Sequence, residues 1–190
     1  VSMSDSKIHI EDRGYQFADG VYEVFAVINN KLVDYDDHII RLQRSLSELN
    51  ISNPLSIKSI FFHIANIIRE NLITDGLIYL QITRGVASRD FKFPKNTKSS
   101  IVIIGKNISF DKYDRSFKKG IKVSTTKDIR WKRVDIKSLN LLAPNSNKGT
   151  KFALSSSTFG SVIPSQLPSN SAIVFSDASS NETPCKIIFK

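Results

Sequence analysis

The apolar residues of this chain change their spacing twice, from strand to helix and back. That order constrains the fold more than any other feature. Val21 to Ile28 reads Val-Tyr-Glu-Val-Phe-Ala-Val-Ile, a run rich in the β-branched and aromatic residues that fit a pleated, half-buried surface. Asn29-Asn30 tolerates the positive φ of a tight turn, and Lys31 to Tyr35 returns as a hairpin partner. Ile39, Leu42, Leu46 and Leu49 then recur at three and four residues, the stripe of an amphipathic helix. Asp37 and Arg41 are spaced to pair across one turn of that helix, and Asn53-Pro54 ends it. Ser56 is a candidate N-cap for a second helix, with Ile57, Ile60, Phe61, Ile64, Ile67, Ile68 and Leu72 as its buried face. Asp75-Gly76 closes the segment. Leu77 to Thr83, Ser100 to Gly105 and Ile121 to Thr125 read as further strands. A hairpin, two helices and then more strands predict an α+β domain, with helices packed on a largely antiparallel sheet.

Composition narrows the class. The chain has 190 residues, of which 41% are hydrophobic, ordinary for a soluble domain with one good core. No apolar run is long enough to span a bilayer, and the N-terminus lacks the pattern of a secretory signal. Cys185 is the only cysteine, so no intramolecular disulfide forms and a reducing compartment fits, which predicts the cytoplasm. The net charge of +9 raises nucleic-acid binding. The lysines are scattered rather than gathered with aromatics into a stripe, and no recognised nucleic-acid motif is present. No metal site is expected.

The segment Asp135-Ile136-Lys137-Ser138-Leu139-Asn140-Leu141-Leu142 sets one lysine in an otherwise apolar run. Apolar surroundings disfavour the charged form of an amine, and a neutral amine near pH 7 is what Schiff-base chemistry requires. The competing reading is a lysine at a strand end that extends its ammonium to water.

Upstream blocks bear on that choice. Glu11-Asp12-Arg13-Gly14-Tyr15-Gln16-Phe17-Ala18-Asp19-Gly20-Val21-Tyr22-Glu23-Val24 resembles the opening signature of the class IV (fold-type IV) pyridoxal-phosphate aminotransferases. His38-Ile39-Ile40-Arg41-Leu42, Ile82-Thr83-Arg84-Gly85 and the Lys137 segment follow in that family's order and at its approximate spacing. Within the family the nearest likeness is to the D-amino acid aminotransferases, over about residues 7–143. The resemblance implies pyridoxal 5′-phosphate as cofactor, and an amino acid and a 2-oxo acid as substrates. It also implies a homodimer. Lys137 would be the catalytic Schiff-base lysine that also shuttles the substrate proton. Arg41 would bind the cofactor phosphate, a dianion suited to a planar, permanently charged fork. Tyr22 and Arg89 would hold the substrate carboxylate. Outside the resemblance, Arg41 reads as a helix-surface arginine and Tyr22 as a core aromatic of a strand.

The chain departs from the family in two places. Phe91 stands where the family commonly has a histidine two residues after the arginine, which removes a hydrogen-bond donor. After Leu142 the text turns to serine, proline and asparagine, a composition that supports little packed core. Ala172 to Phe175 is expected to give one short strand there. The glutamate that partners the pyridine nitrogen in the family has no match at the expected spacing; Ser176-Asp177-Ala178-Ser179-Ser180-Asn181 reads as a coincidental likeness. The expected organisation is a small α+β N-terminal domain over 1–112, then a linker and the start of the larger C-terminal domain, with the lysine, over 113–143. A divergent tail over 144–190 follows, such as a shifted reading frame or a degraded gene would leave. Three functions follow from the resemblance: a D-amino acid transaminase, an aminodeoxychorismate lyase-like enzyme, or a catalytically impaired remnant of such an enzyme.

Overall fold

The computed structural model describes residues 1–2, 4–110, 125–127, 131–142, 171–173 and 187–189. The chain divides into two compact units. The first is built on Val1–Lys112 with Asp135–Leu139 and Asn181–Lys190, the second on Tyr113–Val134 with Asn140–Ser180.

In the first unit a short helix α1 (Arg13–Phe17) leads into β1 (Gly20–Ile28), which turns back as β2 (Lys31–Leu32). Asn29 and Asn30 both adopt positive φ, at 50° and 62°, the conformation a two-residue hairpin loop needs to match the twist of its strands. Helices α2 (Tyr35–Glu48) and α3 (Ile57–Glu70) follow, then β3 (Gly76–Thr83), β4 (Ser100–Asn107) and, from the end of the chain, β7 (Ile187–Phe189). The sheet order is β2-β1-β3-β4-β7. Every pairing is antiparallel, with Tyr22 opposite Gln81 and Gln81 opposite Val102. The expected α+β layering is the one observed. In the second unit β5 (Thr125–Lys127) pairs antiparallel with β6 (Ser171–Ile173). The expected strands at 121–125 and 172–175 therefore fall partly here, and residues 121–124 and 174–175 lie outside the described residues. The sequence assigned no strand to Ile187–Phe189.

Period-two burial along the strands and period-three-to-four burial along the helices meet in one core. Val21, Phe25 and Val27 of β1, Ile78, Leu80 and Ile82 of β3, and Ile101 and Ile103 of β4 face Ile39, Leu42 and Leu46 of α2 and Ile60, Ile64 and Ile67 of α3. Ser56 caps α3, its Oγ accepting from the Ser59 amide at 3.1 Å, as the sequence predicts. Two members of the expected α3 face are corrected. Phe61 is 50% exposed, because it sits one residue, about 100° of rotation, round from Ile60; its ring meets the edge of Tyr35 at 5.3 Å. Leu72 is 84% exposed. It lies beyond the C-cap Asn71 with φ at 51°, so the chain has left the helix, and Ile73 is buried in its stead.

The signature segment and the loop after β3 are laced together. The Arg13 amide donates to the Gly85 carbonyl at 2.9 Å, the Arg84 amide to Asp19 at 3.0 Å, and the Ala87 amide to Glu11 at 3.2 Å. Gly85 has φ at +98°, and a Cβ there would collide with the Lys98 carbonyl, so only glycine fits. Beneath this lacing, Asp19 accepts from Arg13 Nε at 2.7 Å and from Arg84 Nε at 2.8 Å, all three side chains being buried. Arg84 also donates to the carbonyls of Asn50 and Leu49, at 2.9 and 2.8 Å, which ties the end of α2 into the same knot.

Removing the shared acceptor leaves two buried guanidinium groups short of charge compensation. Asp19→Asn should therefore destabilise the protein by about 3–5 kcal/mol, read as a shift in the urea unfolding midpoint. Arg44→Ala deletes an exposed pair with Asp135 and should cost no more than about 1 kcal/mol.

Candidate active site

β2 covers only the last two residues of β1, and residues 136–139 occupy the edge it leaves open. The Tyr22 amide donates to the Lys137 carbonyl at 3.0 Å and the Leu139 amide to the Gly20 carbonyl at 3.0 Å, with Val21 bridged to Ser138. The Lys137 amide donates to Ser45 Oγ of α2 at 3.2 Å, and Ile136 is buried in the core. Lys137 is thus gripped by its backbone between a strand edge and a helix. Arg44 of α2 adds a 2.6 Å hydrogen bond to Asp135.

The Lys137 amine is half-buried, and its Nζ donates to the Tyr22 phenolic oxygen at 3.1 Å. The ammonium position lies 4.4 Å from the Tyr22 ring centroid. Ile136, rather than the amine, occupies the apolar setting that the sequence suggested. No carboxylate among the described residues lies within ion-pairing distance of this lysine. Tyr22 is half-buried, stacked on Tyr79 with centroids 5.8 Å apart and an interplanar angle of 29°. The Tyr79 hydroxyl donates to Gln81 Oε1 at 2.7 Å. Burial, and then the neighbouring Tyr22 phenol, push Tyr79 up to about 12.

Successive strand residues face opposite ways, so Glu23 points to the helical side. It is 0% exposed. Arg41 grips it with one edge of its guanidinium, Nε to Oε1 at 2.7 Å and Nη2 to Oε2 at 2.6 Å. His38 Nδ1 lies 2.7 Å from Oε2 and 3.1 Å from Arg41 Nη2. The expected Asp37 partner for Arg41 is corrected: Asp37 is exposed and keeps its water, whereas Glu23 has none and must be paired by protein. The hydrogen bond to Glu23 raises the Arg41 pKa above its ordinary value, burial opposes the shift, and the charges of Glu23 and Tyr22 add to it. Tyr22 and Arg41 therefore lie within electrostatic range although they leave the strand and helix separately. The Arg41 side chain is 44% exposed, and its Nη1 has no acceptor among the described residues.

Arg89 lies on the exposed loop after β3. Its directed contacts are with the rings of Phe17 at 4.7 Å and Phe91 at 6.0 Å, and none is with Tyr22, Arg41 or Lys137. Of the four residues marked by the sequence, the fold joins Lys137 to Tyr22, brings Arg41 within electrostatic range of Tyr22, and holds Arg89 on a separate loop. The sequence assigned no role to Glu23, Ser45 or Tyr79. A signal existed for Glu23: it shares the parity of Val21, Phe25 and Val27, and a carboxylate on a buried parity demands a cationic partner.

A strand edge that presents an amine beside a phenol, with a half-free guanidinium nearby, is the setting in which the family comparison decides. The model for class IV amino-transferases matches residues 20–146. The chain belongs to the class IV aminotransferase family. A D-alanine aminotransferase of Staphylococcus epidermidis is 38% identical over 142 residues, 75% of this chain and 50% of the relative. The chain spans about half the length of the curated relatives it matches. Among solved structures, a hypothetical aminotransferase from Mycobacterium tuberculosis aligns over 77% of this chain and 53% of its own at a TM-score of 0.60 and 14% identity. A 4-amino-4-deoxychorismate lyase from Pseudomonas aeruginosa aligns over 78% and 54% at 0.58 and 20% identity. These similarities place the fold with the fold-type IV enzymes. No helix among the described residues is long and apolar enough to cross a membrane.

The Tyr79 phenol gives a pH signature. Its folded-state value lies above the ordinary 10.0, so its contribution to stability is complete below pH 10 and is lost as pH rises through about 12. Tyr79→Phe should abolish that part of the alkaline destabilisation. Urea midpoints of the two proteins, compared below pH 10 and near pH 12, check it: the stability of the wild type relative to the variant should fall across that interval.

Proposed function

We propose that this chain works as a pyridoxal-phosphate-dependent transaminase, moving an amino group from a D-amino acid to a 2-oxo acid such as 2-oxoglutarate. The observation that carries the reading is the Lys137 amine, fixed between β1 and α2, free of any described carboxylate and hydrogen-bonded to the Tyr22 phenol. The likeness to D-alanine aminotransferases supports the substrate class. The lyase that shares the fold is 20% identical, so it supports the fold alone.

The donor set fits the cofactor. An amine without an ionic partner is available for covalent attachment to an aldehyde, and the open Nη1 edge of Arg41 suits a phosphate. When bound, pyridoxal phosphate supplies a reactive carbonyl and an electron-accepting ring. The protein's share is then positional. Lys137 holds the cofactor and carries the proton to and from the substrate α-carbon, since one amine can serve both tasks in turn. Tyr22 orients that amine and, with Arg89, hydrogen-bonds the substrate carboxylate. Glu23 fixes Arg41 by one edge, and the Nη1 edge left open would take the phosphate when the cofactor is bound. We further infer a homodimer in the cytoplasm, with residues 1–112 as the small domain, 113–143 as linker and lysine segment, and 144–190 as a divergent tail.

The test uses the full chain with pyridoxal phosphate: visible absorption, borohydride reduction, and peptide mapping. The reduced label should fall on Lys137 and vanish in Lys137→Ala. Arg41→Ala should weaken cofactor binding about 10- to 100-fold, the scale of lost hydrogen bonds to a charged group. Amino transfer from a D-amino acid that depends on the 2-oxo acid, with no pyruvate eliminated from aminodeoxychorismate, would support the transaminase. A label elsewhere, or none, sinks the assignment.

A further inference from the structure

Arg89 is exposed, yet its surroundings restrain it without using its hydrogen-bonding edge. Arg13 is 3% exposed. Its Nη1 donates to the carbonyl of Asp90, the residue after Arg89, at 2.8 Å, while its Nε is held by Asp19 at 2.7 Å. The guanidinium carbon of Arg13 lies 4.6 Å from the Phe17 ring centroid, and that of Arg89 lies 4.7 Å from the same ring. Phe93 is shared in turn, by Arg84 at 4.4 Å and Arg13 at 5.7 Å. Arg84, Phe93, Arg13, Phe17 and Arg89 thus follow one another as guanidinium and ring, from the buried Asp19 knot out to solvent.

The chemistry of the two ends differs. At the buried end a carboxylate and backbone carbonyls accept from the arginines. At the outer end only rings touch Arg89, and it has no hydrogen bond or ion pair among the described residues. A carboxylate partner would fill the N–H fork and repel an incoming anion. A ring attracts the flat face of the guanidinium through its quadrupole and leaves the N–H donors unspent. A fork already held in place also loses less conformational freedom when it binds.

We propose that Phe17 and Arg13 are positioning residues that preset Arg89 as a carboxylate-binding fork, Phe17 through the face of its ring and Arg13 through the carbonyl of Asp90. This rests on the role given to Arg89 above. Phe17 is the specific element, because it alone touches both guanidinium groups.

The full chain is labelled with ¹⁵N-arginine. The order parameter of the Arg89 Nε–H group is measured together with the affinity for 2-oxoglutarate by calorimetry, in the wild type and in Phe17→Leu, Phe17→Tyr, Arg13→Lys and Arg89→Gln. Phe17→Leu should lower the Arg89 order parameter and raise the dissociation constant about 3- to 10-fold, the scale of immobilising one long side chain. Phe17→Tyr should restore both. Arg13→Lys keeps the charge beside Asp19 but loses the second donor, and should loosen Arg89 in the same direction even if Phe17→Leu fails to fold. Arg89→Gln should weaken binding at least as much as Phe17→Leu. Weakening by Arg89→Gln with Arg89 order and affinity unchanged in Phe17→Leu would overturn the positioning role and leave the Arg89 assignment standing. Unchanged affinity in Arg89→Gln would overturn that assignment and the proposal with it.

Discussion

A carboxylate with no access to water governs the arrangement of this protein's central strand. Glu23 sits among Val21, Phe25 and Val27, and it is tolerated there because α2 delivers both the Arg41 fork and the His38 ring to its two oxygens. Truncating either partner would leave a buried charge short of donors, so the pairing fixes where α2 lies along β1. That placement in turn sets Ser45 against the Lys137 backbone. It also commits one edge of Arg41 inward. The same interaction therefore builds the core on one face of the strand and orders the reactive side chains at its margin.

The other face works by a different rule. Tyr22 and Tyr79 stack there, and the phenol that meets the lysine is steadied by its neighbour's ring rather than by an ionic partner. The contacts described around the amine are uncharged, so it has no ion-pairing partner among the described residues. The two faces of one strand thus separate structural charge pairing from a site kept electrically open.

Much of this was legible in the residues. The period changes gave both helices and β3 and β4, because long apolar stripes report burial directly. The hairpin turn was read correctly, but its return strand, expected over Lys31 to Tyr35, is only Lys31–Leu32, and Tyr35 already opens α2. Lys137 and Tyr22 were marked through the same family resemblance, and they meet in the fold. The misses have physical causes. Phe61 lies on the margin of its stripe, where a degree of rotation decides burial, and Leu72 falls past a C-cap that its sequence does not announce. Arg41 was given its helical neighbour Asp37, since i to i+4 spacing is visible in sequence while the demand of a buried Glu23 from another element is not. In the Arg13–Asp19–Arg84 knot Asp19 is bonded to a residue 65 positions away, and no local pattern encodes it. Phe91 was noted only as a lost donor; its ring in fact meets Phe17 edge-on at 5.8 Å.

Lys137 reaches Tyr22 across 115 residues of sequence, and this separation has a consequence for biosynthesis. As the polypeptide leaves the ribosome, β1 pairs early with β2 and, later, with β3, but the margin that residues 136–139 will occupy stays bare. Exposed strand margins of that kind recruit other chains. The nascent protein therefore passes through a sticky interval that ends only when the lysine segment docks. The closing of the chemical site and the sealing of an aggregation hazard are one event, so a substitution that hinders the docking should act first on yield, before any assay of turnover.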